Sequence, residues 1–292
     1  MSTLVPPTEL TALEHTGEAG FPYRLAAIDI DDTLVGPDRV ISDANRNAIA
    51  QLRALDVHIV LASGRSHANM APFHRELGLD SPLISANGAL VREVGSGEVW
   101  FEHGIPPELL PDLIDSGRER GFSVLLYGLN GVYVDRRTPF TQYDQSRNED
   151  MQVLVDDLLR VPADSVHKVI WMAEPAEIDA TVTSQAEKYA GHLTVTHTDP
   201  PYLEFMPPGI NKSTGLAAVA AHYLVEPAQV VAFGDGNNDV LMLRWAGIGI
   251  AMSHAKPAAK AAADFTVTDA PVTESLARGI EYLLHSAGTR PR

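Results

Sequence analysis

The chain has 292 residues, enough for two domains or one large one with a substantial core. Its 22 basic and 38 acidic side chains leave a formal charge of −16, which repels polyphosphate backbones and anionic surfaces and argues against a nucleic acid polymer as partner. With no cysteine, disulfides, thiolate nucleophiles, iron–sulfur clusters and sulfur-bound zinc are excluded, so any metal must use oxygen or imidazole donors.

Residues 1–20, with Pro6, Pro7, Gly17 and Gly20 in mixed polarity, read as a flexible leader. They lack the basic start and apolar core of a signal peptide, and no run of 18 apolar residues follows, so the expected location is cytoplasmic, with no membrane partner. Leu25–Ile28 is a short apolar run that ends in Asp29, Asp31 and Asp32, the pattern of a buried strand delivering acids at its carboxyl end. Ala48, Ile49, Leu52 and Leu55 recur at helical spacing behind the capping residue Ser42. Val57–Ala62 reads as a strand stopping at Ser63-Gly64-Arg65, His67–Leu77 as a helix closed by Gly78, and Pro82–Ser85 as a third strand before Asn87-Gly88. Strands and helices alternating in this way predict a parallel sheet covered by helices.

The pattern then changes. Ala89–Val94 with Val99–Glu102, and Phe122–Tyr127 with Val132–Val134, flank turn-like glycine-rich segments and predict hairpins. Helical stretches over Pro107–Arg120, Met151–Leu159 and Pro175–Ala190 mix with strands over Lys168–Met172, His192–Thr196 and Tyr202–Phe205. Residues 88–206 are therefore read as an inserted α+β domain, with the first unit formed by 21–87 and 207–292. From Lys212 the alternation resumes with a helix to Tyr223, a strand Val230–Phe233 and a second acidic turn, Asp235 to Asp239. A helix through Trp245, short strands near Gly249 and Phe265 and a helix Val272–Leu284 complete the chain. The fold class is α/β: a Rossmann-like parallel sheet core with helices on both faces, plus the insertion.

Ligands of open α/β sheets bind beyond the carboxyl ends of the strands, and four predicted strand ends here carry polar groups. Asp29 and Asp31 are two residues apart in an extended segment, so their side chains face the same way. Grouped with Asp235 and Asp239 they would repel one another unless a hard cation lies between them, and an all-oxygen, partly hydrated site suits magnesium. Ser63 and Gly64 offer a hydroxyl and backbone N–H groups to phosphate oxygens. Lys212 opens a helix, where a cation opposes the helix dipole unless it has an anion to hold.

In this order the motifs resemble the haloacid dehalogenase superfamily, specifically its Cof-type (subclass IIB) phosphatases with a C2-type cap, over about residues 22–288. Asp29-Ile30-Asp31-Asp32-Thr33 is similar to D-x-D-G-T, Ser63-Gly64-Arg65 to the second motif, Asn211-Lys212-Ser213 to the lysine motif, and Gly234-Asp235-Gly236-Asn237-Asn238-Asp239 to G-D-x-x-N-D. Asp32 departs from the usual glycine, in a turn position that Asp tolerates better than most residues. The resemblance implies a magnesium-dependent phosphomonoester hydrolase acting on a small phosphorylated metabolite, a sugar phosphate first among the candidates. It implies Asp29 as nucleophile and Asp31 as acid and base. Magnesium would be held by Asp29, Asp31 (main chain) and Asp235, with Asp239 ordering bound water, and phosphate by Ser63, Gly64, Lys212 and Asn238.

The alternatives are a sugar phosphomutase, which shares the motifs, and a non-catalytic phosphate-sensing module built round a phosphorylatable aspartate. The expected partner is a small phosphomonoester, and the sequence assigns no oligomeric state. Tyr127, Tyr133, His167 and Trp171 read as core of the insertion, with Glu204 and Arg65 as tuning groups on its side of the pocket.

Overall fold

The computed structural model describes residues 21–148, 152–197 and 200–287. The leader read at residues 1–20 lies outside them. Two sheets organise the chain. The first holds β1 (Leu25–Ile28), β2 (His58–Ala62), β3 (Leu83–Ser85), β4 (Leu90–Arg92) and β5 (Val99–Glu102). The second holds β6 (Ser123–Gly128), β7 (Gly131–Val134), β8 (Gln152–Leu154), β9 (Val166–Met172), β10 (Thr194–Thr196) and β11 (Tyr202–Met206). The chain then returns to the first sheet with β12 (Val230–Gly234), β13 (Ile248–Ala251) and β14 (Phe265–Thr266).

The first sheet runs in the order β14-β13-β12-β1-β2-β3-β4-β5, parallel from β14 to β3 and antiparallel through the β4–β5 hairpin. Its central strands are apolar without alternation because both faces are covered, as parallel sheets require. The helices of this unit are α1 (Asp43–Arg53), α2 (His67–Glu76), and, after the second sheet, α6 (Lys212–His222), α7 (Val240–Trp245), α8 (Pro257–Ala262) and α9 (Val272–Ala287). The intervening α3 (Leu110–Glu119), α4 (Pro139–Asn148) and α5 (Pro175–Lys188) belong to the second unit. Ser42 caps α1 by accepting from the Asn45 N–H, and α1 packs its buried Ala48, Ile49 and Leu52 into the same core as Leu276 and Ile280 of α9.

The expected boundary at residue 88 is displaced by the structure. The hairpin β4–β5 pairs onto β3, because a strand edge left bare after β3 would present unpaired backbone groups. It therefore extends the first sheet rather than opening the insertion. The second sheet runs β10-β11-β9-β6-β7-β8 and buries Trp171 and Phe205 against Leu113 of α3 and Ile178 of α5. Its other face carries Tyr127, Lys168, Ile170, Tyr202 and Glu204, all of which line a cavity shared with the first sheet.

The helix expected over Met151–Leu159 is not formed. Residue 151 lies outside the described residues, 152–154 is strand β8 pairing parallel with β7, and Leu158–Arg160 is a single 3₁₀ turn capped by Asp157. Asp157 accepts from the Leu159 N–H, so its side chain competes with helix continuation. The unforeseen helix is α4. Over residues 139–146 its buried side chains are Thr141 and Asp144, Tyr143 is exposed, and no apolar stripe betrays the helix in the sequence.

Gly88 fixes how the two ends of the first unit meet. Its φ is +96°, and a Cβ there would lie 2.1 Å from the Asn211 carbonyl oxygen, so the β3–β4 corner passes directly against the start of α6. Gly88→Ala is expected to cost roughly 2–4 kcal/mol, the sum of a left-handed backbone and a clash with main chain that cannot swing away. Urea unfolding followed by circular dichroism checks this, and an unchanged midpoint would show that the corner yields. Among the described residues no helix is long and apolar enough to cross a membrane.

Candidate active site

Four strand ends converge on one cavity of about 570 Å³. Asp29 follows β1 directly and its N–H continues the ladder to the Phe233 carbonyl of β12 at 3.1 Å, which places the carboxylate over the seam of two central strands. Asp31 and Asp32 lie in the next turn. Asp32, the residue that departs from the motif, has φ +57°, the conformation that favours glycine, and His254 Nε2 lies 2.6 Å from its carbonyl oxygen. Thr33, fully buried, donates from Oγ1 to Asp235 Oδ1 at 3.1 Å and so ties the first acidic turn to the second.

Lys212 sits at the centre. Wholly buried at the first position of α6, it donates to Asp29 Oδ1 at 2.5 Å and to Asp239 Oδ1 at 2.6 Å. Burial alone would lower its pKa, but Asp239 and Asp29 outweigh that and hold it above the ordinary lysine value, so it stays charged across the neutral range. Asp239 is equally buried. Its Oδ2 accepts from the backbone N–H groups of Asp235 and Gly236 at 3.0 and 2.8 Å, so one oxygen shapes the loop while the other holds Lys212.

The carboxylates feel one another. Burial, then Asp239, raises Asp29 well above the usual carboxylate value, with Lys212 acting in the opposite direction. Burial and Asp239 likewise push Asp235 up to about 6, against its Thr33 hydrogen bond and Lys212. One oxygen from each of Asp29, Asp235 and Asp239 lies within 4.8 Å of the others. This set fits a hard divalent cation: all donors are oxygen, and three carboxylates gather beside a single lysine. Because the oxygens of Asp239 are already engaged, Asp29 and Asp235 are the natural direct ligands.

The raised Asp235 has a consequence for stability with a definite sign. Its folded pKa exceeds its unfolded one, so between about pH 4 and 6 the folded protein binds more protons and loses stability as pH rises. In metal-free buffer, wild type should lose stability from pH 4 to 6.5 more steeply than Asp235→Asn, and parallel unfolding midpoints would refute the shift.

The side expected to face phosphate is built from the ends of β2 and β3. Ser63 is buried, and the Asn87 N–H donates to its carbonyl oxygen at 2.9 Å. A Cβ on Gly64 would lie 3.0 Å from Asn87 Oδ1, which in turn accepts from Asn238 Nδ2 at 3.0 Å. Asp29, Asp31, Ser63, Gly64, Lys212, Asp235 and Asn238 all line the cavity, and Asp239 stands behind it holding Lys212. The eight residues singled out in the sequence are thus brought together. Arg65, expected to serve the insertion side, instead forks Asp31 with Nε at 2.9 Å and Nη2 at 2.6 Å.

Of the aromatic and histidine residues read as core, Trp171 is core, donating from Nε1 to the Leu113 carbonyl. His167 is buried against Glu102 at 2.7 Å, while Tyr127 lines the cavity. Sequence reasoning passed over Lys168 and Tyr202 as members of this cavity, whereas Asn87 stood out as one of the four polar strand ends. Lys168 had a signal, a cation inside an otherwise apolar predicted strand, where an unpaired charge would be costly.

The fold and the site together define a protein of the α/β class with buried carboxylates gathered at the strand ends of a parallel sheet. The chain belongs to the haloacid dehalogenase-like hydrolase family, whose profile matches residues 26–280, and within it the chain is a Cof-type phosphatase. An HMP-PP phosphatase of Cronobacter sakazakii is 30% identical over 241 residues, 80% of this chain and 85% of that protein. A 5-amino-6-(5-phospho-D-ribitylamino)uracil phosphatase of Bacillus subtilis is 26% identical over 250 residues, 84% of this chain and 92% of that one. The crystal structure of a haloacid dehalogenase-like hydrolase from Bacteroides thetaiotaomicron superposes with a TM-score of 0.82 at 27% identity, covering 89% of this chain and 99% of the other.

Proposed function

We propose that the protein is a magnesium-dependent phosphomonoester hydrolase that acts on a small phosphorylated metabolite, a sugar or sugar-like phosphate, through an aspartyl-phosphate. The observation that carries this reading is the buried Asp29–Lys212–Asp239 chain opening onto a cavity lined by Ser63, Gly64 and Asn238. The relative named for a phospho-D-ribityl compound supports the sugar-like class, and the one named for HMP-PP supports the broader class of small phosphorylated metabolites. In this reading the second sheet and its helices, from about residue 104 to 206, form a cap over the site.

Asp29 attacks phosphorus in line, and the bond to the ester oxygen breaks as that oxygen takes a proton from Asp31. Asp31 then takes a proton from water, whose oxygen attacks phosphorus and displaces the Asp29 carboxylate, giving inorganic phosphate. For this service Asp31 must leave the Arg65 fork. Lys212 holds the Asp29 carboxylate in one orientation and, with Ser63, the Gly64 backbone N–H and Asn238, holds the phosphate oxygens. Asp29, the Asp31 carbonyl and Asp235 would hold magnesium, which would supply charge neutralisation to the phosphoryl oxygens.

The test is phosphate release from a panel of sugar, nucleoside and aryl phosphates with magnesium or with excess chelator. Release that requires the metal and favours sugar phosphates is expected. Release unaffected by chelation would remove magnesium from the reading, and isomerised product without net phosphate would replace hydrolysis with mutase chemistry.

A further inference from the structure

The cavity wall opposite Asp29 is one face of the second sheet, and it holds a buried ion pair. On β9 and β11, Glu204 is in register with Ile170, and Lys168 lies two residues along the same face. Lys168 Nζ lies 3.3 Å from Glu204 Oε2, donates to the Gly64 carbonyl at 2.9 Å, and sits 4.3 Å over the ring of Tyr127. The two charged side chains are only 4% and 10% exposed. Their charges cancel, and the lysine is committed to a carbonyl, a carboxylate and an aromatic face.

We infer that Glu204, held by Lys168, is the specificity-determining residue of this site: it selects phosphomonoesters whose leaving group is an uncharged polyol and disfavours those with a second anion at the far end. This rests on the phosphatase reading above. Beside Glu204 the wall offers Thr194 and Thr196 of β10, hydroxyls that both donate and accept, with Ile170 and Tyr202 as apolar floor. A carboxylate flanked by hydroxyls matches sugar hydroxyls, and a hydroxyl donating to a buried carboxylate makes a charge-assisted hydrogen bond. A distal phosphate would instead meet Glu204. Three of the cavity's other basic side chains are engaged elsewhere: Arg65 by Asp31, Lys212 by Asp29 and Asp239, and His197 by Asp179 at 3.3 Å. Lys256 also lines the cavity, and its backbone N–H donates to the Asp235 carbonyl of the acidic turn, on the side of the first sheet. The same wall reaches the phosphate loop through Lys168 and Gly64, so polyol binding and phosphate binding share one contact. Sugar bisphosphates, which a phosphomutase requires, are the class this wall opposes.

The experiment is calorimetric binding of glucose 6-phosphate, phenyl phosphate and glucose 1,6-bisphosphate, with magnesium, to full-length Asp29→Asn protein, which separates recognition from turnover. Glucose 6-phosphate should bind about 10-fold or more tighter than phenyl phosphate, as a hydrogen bond to a charged acceptor implies, with the bisphosphate weakest. Adding Glu204→Gln should shrink the glucose 6-phosphate to phenyl phosphate ratio about 10-fold and raise bisphosphate affinity relative to both, a reversal that loosened packing does not produce. Should that variant fail to fold, Lys168→Gln with Glu204→Gln removes both buried charges and should lose the polyol preference without gaining the bisphosphate. Ratios that move less than twofold, or tightest binding of the bisphosphate to the unaltered wall, would overturn the inference. Binding in the expected order by a wild type that releases no phosphate would overturn the phosphatase reading instead and leave this preference standing.

Discussion

Asp29→Asn is expected to lower phosphate release on the order of 10⁴-fold or more while leaving the protein folded and at least as stable as wild type. The two halves of this expectation come from the same geometry. An amide cannot form the acyl-phosphate bond, so the covalent route closes. The remaining rate reflects only orientation and charge stabilisation by Lys212, Ser63 and bound metal. Stability moves the other way because the wild-type carboxylate is buried and raised by burial and by Asp239. Replacing it with a neutral group of the same shape removes that cost, keeps an oxygen for Lys212 to donate to, and leaves the Lys212–Asp239 pair intact. Phosphate release and thermal unfolding measured on one preparation decide it. A variant that is inactive because it is unfolded would say nothing for a nucleophile, whereas a folded variant with more than about 1% of wild-type turnover would exclude Asp29 from that role.

The site was more legible than the fold around it, for a physical reason. The proposed catalytic groups sit where a buried strand ends, and an apolar run that stops at an acid is visible without any structure: Leu25–Ile28 before Asp29, and Val230–Gly234 before Asp235. Lys212 was legible because a cation at a helix start conflicts with the dipole, and its ion pairs with Asp29 and Asp239 resolve the conflict. Helix α4 left no trace because it is held by polar contacts: buried Asp144 accepts from the hydroxyls of Tyr127 and Tyr202, both at 3.3 Å, and hydrophobic periodicity is silent about such a helix. Strand β8 was misread because three residues are too few to carry a period. The hairpin β4–β5 was recognised as a hairpin, yet which sheet it joins depends on a bare strand edge at β3, a fact of tertiary pairing. The Arg65–Asp31 fork and the Lys168 bridge to Gly64 are contacts between segments 34 and 104 residues apart, and no local pattern encodes them.

Lys212→Met should cost about 3–5 kcal/mol of stability and remove activity on the order of 10³-fold, because it leaves two buried carboxylates facing each other without their cation. The distances show why: Asp29 and Asp239 each accept from the same buried Nζ, at 2.5 and 2.6 Å. The lost stability should depend on pH in a defined direction. With the lysine gone, the carboxylates relieve their repulsion by taking up protons, so the variant binds more protons folded than unfolded and regains stability as pH falls from 7 toward 4.5. In wild type the raised lysine stays charged throughout that window, so the gap between the two proteins should narrow on acidification. A second substitution, Asp239→Asn, removes the repulsion at its source and should restore much of the stability of Lys212→Met without restoring turnover, since the amide repairs the burial but supplies no cation for phosphate. Urea unfolding at several pH values for the single and double variants reads all of this. A gap that widens toward low pH, or a double variant no more stable than the single, would mean that the lysine acts by packing rather than by charge.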